Sequence, residues 1–239
     1  MWLKKNRFLA CLILNEAKIR YNPVYEVLSM KALVIGATGA VGTEIVQQLL
    51  DDNRFTKVDI FVRRHIDFYH PKLTIHTIDF DNPSQWRELV RGDVFYSCLG
   101  CIGHEAGSKE EQRKVDFDYQ YLFAEIARQN YVSRYILLSC EGATPKAKGF
   151  LKIKWELEEA VKALNFGQIQ IFHAPKLESP SETKKSGLFS KLGLAKKEML
   201  LPTPMMATAM IKASKRVLIG EFVIEPPEIW SLASRPDYL

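Results

Sequence analysis

A run of four buried-type residues, Ala32-Leu33-Val34-Ile35, leads directly into Gly36-Ala37-Thr38-Gly39-Ala40-Val41-Gly42 and then into an amphipathic stretch from Thr43 to Leu50. A short apolar run, a glycine turn and a helical period make a strand–turn–helix, the opening of a nucleotide-binding βαβ unit. Each glycine answers a physical need. Gly36 permits a tight turn off the strand, Gly39 lets backbone approach a pyrophosphate, and Gly42 lets the helix pack against the strand. The helix start then offers unpaired N–H groups and the positive end of its dipole to phosphate. The alternative is an ordinary βα turn, which the strand–helix context disfavours.

Downstream, apolar strand-like runs alternate with helical periods. Strands are expected at Val58–Val62, Leu73–Ile78, Val94–Leu99, Arg134–Ser139 and Ile169–Phe172. Helices are expected over Pro83 to Val90 with Asn82 as cap, over Lys109 to Gln129, and over Phe150 to Leu164. This alternation predicts an α/β protein with a doubly wound parallel sheet, a Rossmann fold. Residues 30–239 are expected to carry that domain, with a small C-terminal substrate cap at about 178–239.

The 239 residues carry a net charge of +5, too mild over such a surface to require a nucleic-acid partner. Four cysteines without a secretory framework indicate a reducing compartment, and a cytoplasmic location is expected. No apolar stretch approaches the roughly 20 residues of a membrane span. Residues 1–29 place Lys4, Lys5 and Arg7 before a short apolar core but lack a small-residue cleavage site, so they read as a peripheral extension rather than an export signal.

The end of the second strand discriminates between cofactors. A carboxylate there would bind the ribose hydroxyls of NAD; the chain instead reads Val62-Arg63-Arg64. Arginine at this position accommodates a 2′-phosphate, so NADP(H) is expected over NAD(H), against the plainer reading of two solvated arginines.

The Gly-x-x-Gly-x-x-Gly spacing resembles that of the short-chain dehydrogenase/reductase superfamily, in its extended and atypical branches. Further segments resemble the Tat-interacting-protein-like branch: Cys98-Leu99-Gly100-Cys101, Val115-Asp116-Phe117-Asp118-Tyr119, Leu137-Leu138-Ser139-Cys140-Glu141-Gly142-Ala143, Lys154-Trp155-Glu156-Leu157-Glu158, Ala207-Thr208-Ala209-Met210 and Glu228-Ile229-Trp230. The resemblance covers the chain from about Met30 onward. It implies cofactor contacts at Gly36, Thr38, Gly39, Ala40, Val41, Gly42, Arg63, Arg64, Cys98, Leu99, Gly100 and Lys154, with Asp79 and Phe80 at the adenine edge.

The same resemblance implies a catalytic serine, tyrosine and lysine. Ser139 would orient a substrate carbonyl and Lys154 would hold the nicotinamide ribose and lower the phenol pKa. Four residues before Lys154, however, stands Phe150, and no tyrosine occurs between Tyr135 and Lys154. Phenylalanine keeps the ring and loses the acidic proton, whose assistance is typically worth about 10²–10⁴-fold in rate. The family's Arg-Pro-Gly after the sixth strand is replaced by His173-Ala174-Pro175. Tyr96, Cys98, Cys101, His104, Cys140 and His173 are other candidate acids near strand ends, each with a stronger structural explanation. The Cys98-x-x-Cys101 pair with His104 offers too few ligands for structural zinc, and no metal is expected. The lysines between 184 and 197 read as a solvated basic face.

Two functions follow. One is an NADP(H)-dependent oxidoreductase with a degenerate active site, acting on a small molecule. The other is a catalytically inactive NADP(H)-sensing protein that binds a partner. Either a monomer or a homodimer is compatible with the chain.

Overall fold

The computed structural model describes residues 29–100, 108–178 and 200–235. The N-terminal extension before residue 29, Cys101, His104 and the basic 184–197 segment lie outside the described residues.

Seven strands form one all-parallel sheet in the order β3-β2-β1-β4-β5-β6-β7. They are β1 (Met30–Ile35), β2 (Phe55–Val62), β3 (Leu73–Thr77), β4 (Val94–Ser97), β5 (Arg134–Cys140), β6 (Gln168–Ala174) and β7 (Gly220–Ile224). The order reverses between β1 and β4, which opens a crevice at the carboxyl ends of those two strands. The central strands read as continuous apolar runs because helices cover both faces. On one face, α1 (Ala40–Asp51), α4 (Thr203–Ser214) and α5 (Pro226–Ser234) pack against Val34, Tyr96, Ile136 and Phe172. On the other, the long α2 (residues 109–129) and α3 (Phe150–Lys162) pack against Leu33, Phe95, Tyr135, Leu137 and Ile171.

Helix α2 has three continuous parts: Lys109–Arg113, a π turn at Lys114–Asp118, and Tyr119–Gln129. Ser108 caps it, its hydroxyl accepting from the Glu111 N–H at 3.1 Å. The π turn buries Asp116 completely. Such widened turns often coincide with functional sites.

Several expectations need correction. Pro83 to Val90 is not one helix but two short 3₁₀ turns, Pro83–Gln85 and Arg87–Leu89. Asn82 does not cap a backbone N–H there; its side-chain oxygen accepts from the Ser84 hydroxyl at 2.8 Å. Trp86 explains the break. It is fully buried, stacks on Phe123 at 4.3 Å and donates its indole N–H to the Asp79 carbonyl. Strand β7 is not among the expected strands; its Gly220-Glu221-Phe222-Val223-Ile224 sequence has no clear apolar–polar alternation. Residues 200–235 extend the main layers: α4 lies on α1, and β7 adds to the sheet edge.

Candidate active site

The glycine turn is built as the spacing predicts. Gly36 has φ +77°, and a Cβ there would lie 2.4 Å from the Cys98 carbonyl carbon, because the end of β4 passes directly beneath it. A Cβ at Gly42 would sit 2.0 Å from the Gly36 carbonyl oxygen, so α1 can start this close to β1 only without a side chain. Gly39 takes the N-cap position with no side-chain cap, and the first turn of α1 holds no acidic residue. Its N–H groups thus stay open for an anion. Thr38, Gly39 and Ala40 are exposed at this mouth, whereas Val41 is buried under it.

A cavity of about 380 Å³ opens from the turn along the end of β2. Its walls include Gly36, Thr38, Arg63, Arg64, Phe80 and Leu99, and no carboxylate lines it. Arg63 and Arg64 are both exposed. Phe80 is buried and fixed edge-on by Tyr119 and Phe123. Asp79 beside it is exposed and accepts the Asp81 N–H at 3.0 Å. These features fit a dinucleotide: a cradle that a Cβ would fill, an uncompensated helix start and two cations at the strand end.

The β5–α3–β6 side is organised differently. Lys154 and Glu158, one turn apart on α3, are both buried. The Lys154 ammonium lies 3.1 Å from the Asp116 carboxylate, donates to the Leu99 carbonyl at 3.4 Å and sits 5.4 Å from the centre of the Phe150 ring. The π turn is what brings Asp116 to it. Gly100 leaves room for this pair, since a Cβ there would touch both charged groups at 3.5–3.6 Å. Ser139 is buried, and its hydroxyl donates to Glu158. Glu158 also meets His173 at 3.2 Å, and His173 meets Glu225 at 2.9 Å. The hydrogen bond that His173 donates to the Glu158 carboxylate raises its pKa above the ordinary value, with Glu225 adding to the effect.

The other candidate acids separate cleanly. Tyr96 lies in the core against α4, sharing a 2.6 Å hydrogen bond with Ser214, and burial raises its pKa far from neutrality. Burial likewise pushes the Cys98 thiol up to about 12 and the Cys140 thiol up to about 11, even with Lys154 opposing both. Both stay protonated at neutral pH, so neither is an activated nucleophile. Among the described residues no cluster of His, Cys, Asp or Glu has the makings of a metal site.

Asp116, Glu158 and Glu225 are the site residues given no role by sequence reasoning. For Glu158 a signal existed: its i,i+4 spacing from Lys154 puts both on one helix face. The π turn that turns Asp116 inward has no comparable signal in the sequence.

Residues 36–171, more than half of the chain, match a family model described as NAD(P)H-binding. The mitochondrial protein FMP52 of Saccharomyces cerevisiae is 30% identical over 172 residues, which cover 70% of this chain and 74% of that protein. Protein HTATIP2 of Rattus norvegicus is 27% identical over 163 residues, covering 66% of this chain and 67% of it. Among solved structures, MoeE5 in complex with UDP-glucose and NAD superposes with a TM-score of 0.67 at 13% identity, over 85% of this chain and 81% of that one. The short-chain dehydrogenase/reductase YIR035C of Saccharomyces cerevisiae gives 0.62 at 13% identity, over 83% and 97%. At such identities these two speak for the fold alone.

The fungal FMP52 relatives are named as mitochondrial, which overturns the expected cytoplasmic location. Cysteine usage reports a reducing environment and does not distinguish one aqueous compartment from another. No helix of the described residues is long and apolar enough to cross a membrane. With the glycine turn, the seven-stranded Rossmann sheet and these relatives in agreement, the chain belongs to the NAD(P)H-binding family, in the atypical short-chain dehydrogenase/reductase group of HTATIP2 and FMP52.

Proposed function

We propose that this protein is an NADP(H)-preferring oxidoreductase of the atypical short-chain class whose catalytic side is degenerate. The observation that carries the cofactor preference is the cavity beside Gly36 and Thr38, which has Arg63 and Arg64 in its wall and no carboxylate. A 2′-phosphate would find two cations there, each charge-assisted contact being worth about 1.5–3 kcal/mol. Gly36, Gly39 and Gly42 with the N–H groups of Ala40 and Val41 would receive the pyrophosphate, and Phe80 with Asp79 would flank the adenine. Cys98, Leu99 and Gly100 would line the path toward Lys154.

When bound, the nicotinamide supplies hydride chemistry. The chain's own residues orient it and handle protons. Asp116 holds the Lys154 ammonium beside the Leu99 carbonyl, where the ribose hydroxyls would compete for it. Phe150 fills the phenol position and has no proton to give. Ser139 already donates to Glu158, so it orients a carbonyl oxygen only by giving up that bond. Reduction of a small carbonyl substrate is therefore slow.

The second reading, an inactive NADP(H) sensor that signals to a partner, is favoured by one specific feature: Lys154 and Ser139 are both engaged internally. The mitochondrial names of the fungal relatives support a mitochondrial location, which organelle fractionation with protease protection would test.

Calorimetric titration tests the cofactor assignment. NADPH should bind more tightly than NADH, and the Arg63→Ala, Arg64→Ala double variant should lose the preference while keeping NADH affinity. Equal affinities in the unaltered protein would refute it.

A further inference from the structure

Strand β2 ends at Val62, and Arg63, Arg64 and His65 follow it without interruption. In a strand, successive side chains point to opposite faces, so three consecutive residues do not all serve one cavity. Here the chain bends at Arg63 and Arg64, just past the last pairing of β2 with β3. As a result all three residues line the cavity beside Gly36 and Thr38. Ile66 fixes the bend, since it is half-buried and packs against the core cluster on the α1 face. His65 itself is exposed at the cavity mouth.

The cavity wall holds two guanidinium groups, one imidazole and no carboxylate. The glycine turn, the loop after β3 and the end of β4 bring only uncharged residues to it. Nearby acids stand outside the wall. Asp67 and Asp79 are exposed, and Asp81, whose field reaches Arg63, is held by Lys114 at 2.8 Å. The other bases of the same loop are turned away: the His70 Nδ1 accepts the Lys72 N–H at 3.2 Å, and the Lys72 ammonium donates to the Leu50 and Asp52 carbonyls. An anion entering the cavity therefore meets Arg63, Arg64 and His65 together. A phosphate monoester has its second pKa near about 6 and is close to doubly charged above it. Histidine is the side chain that ordinarily changes charge between about pH 5 and 8, and a phosphate placed against it favours the charged form.

We propose that His65 is a specificity-determining residue of this site: its protonated imidazole binds the 2′-phosphate of NADP(H), so that pH sets how strongly NADP(H) is preferred over NAD(H). The inference rests on the assignment of Arg63 and Arg64 to the same phosphate. A proton is then taken up with NADPH and not with NADH. The preference is greatest where the phosphate is dianionic and the imidazole is charged, and it falls as pH rises above neutrality. The two arginines keep their charge throughout, so a smaller preference survives at alkaline pH.

Calorimetric titration of the full chain with NADPH and with NADH between pH 6.5 and pH 8.5 tests this. The ratio of NADPH to NADH affinity should fall about two- to fivefold over that range, the size expected for losing one exposed charge pair. At pH 7.5, buffers of different ionisation enthalpy should show proton uptake with NADPH and none with NADH. His65→Gln should hold the ratio at its alkaline value at every pH. His65→Lys, whose charge does not titrate in this range, should hold it at its acidic value, which a merely structural histidine would not do. Circular dichroism checks that both variants are folded. An NADPH preference that does not change with pH, or a decline that persists in both variants, would overturn the inference and leave the phosphate to Arg63 and Arg64 alone. Equal affinities for the two cofactors at every pH would instead overturn the NADP(H) reading, and the inference with it.

Discussion

On the β1–β2 side of the cleft, polar groups are left open: the first turn of α1 lacks a side-chain cap, and Arg63 and Arg64 line a cavity that includes no carboxylate in its wall. On the β5–β6 side the described site groups Lys154, Ser139 and His173 each meet a carboxylate of the protein. Lys154 holds Asp116, Ser139 holds Glu158, and His173 stands between Glu158 and Glu225. Open groups await a ligand, whereas paired ones resist giving up what they have, because a buried charge that loses its partner is costly. The two sides of one cleft thus differ in how much of their polar surface is already engaged.

The comparison breaks most visibly at Lys154. Lys154→Met takes the ammonium from a fully buried carboxylate and should cost about 3–5 kcal/mol in urea-induced unfolding. A loss under about 1 kcal/mol would mean that Lys154 is held for a ligand rather than for the fold.

Phe150→Tyr sharpens the catalytic side. If the missing phenol is what limits turnover, the variant should reduce an activated diketone with NADPH about 10²-fold faster than the parent, at the lower end of what a general acid supplies. An unchanged rate would place the limit in the internal engagement of Ser139 and Lys154 instead.

Gly42→Ala strikes the binding side. Its Cβ would meet the Gly36 carbonyl oxygen at 2.0 Å, and backbone cannot yield as a side chain does. Stability should fall by about 1–3 kcal/mol, as for other overpacked sites. NADPH affinity should fall with it, as calorimetry on the folded fraction would show. Retained affinity would mean that α1 does not carry the pyrophosphate.

The smallest effect is a pH dependence. His173 has a raised pKa in the folded state, chiefly through Glu158. Its stabilising charge is therefore fully present below the ordinary histidine value of about 6.5 and lost as pH rises through the higher folded value. The melting temperature should decline by a few degrees across that window, and His173→Asn should remove the decline. A parallel decline in the variant would assign it to another group.

The binding side was legible because its causes are local. Ala32 to Leu50 contains strand, turn and helix start within some twenty residues, and Gly36 and Gly42 have only one explanation when they stand between an apolar run and a helical period. Arg63 and Arg64 are read from the end of the second strand, and both line the cavity beside the turn. The catalytic side yielded Ser139, Lys154 and the absence of a tyrosine, but not what those groups touch. Asp116 stands 38 positions before Lys154, and Glu225 stands 52 after His173. The single 3₁₀–3₁₀ interruption after Asn82 was hidden for a similar reason: Trp86 is drawn into an aromatic cluster with Phe123, far along the chain.

By itself, then, the amino-acid order determined the parallel layered fold and the glycine cradle, since these depend on periodicity and on the lack of a Cβ. Only the tertiary structure decided that Lys154 and Ser139 are internally paired, that residues 200–235 extend the main layers, and that β7 ends the sheet. Those outcomes depend on which distant segments come into contact, and partner choice across long loops is set by packing, not by local sequence pattern.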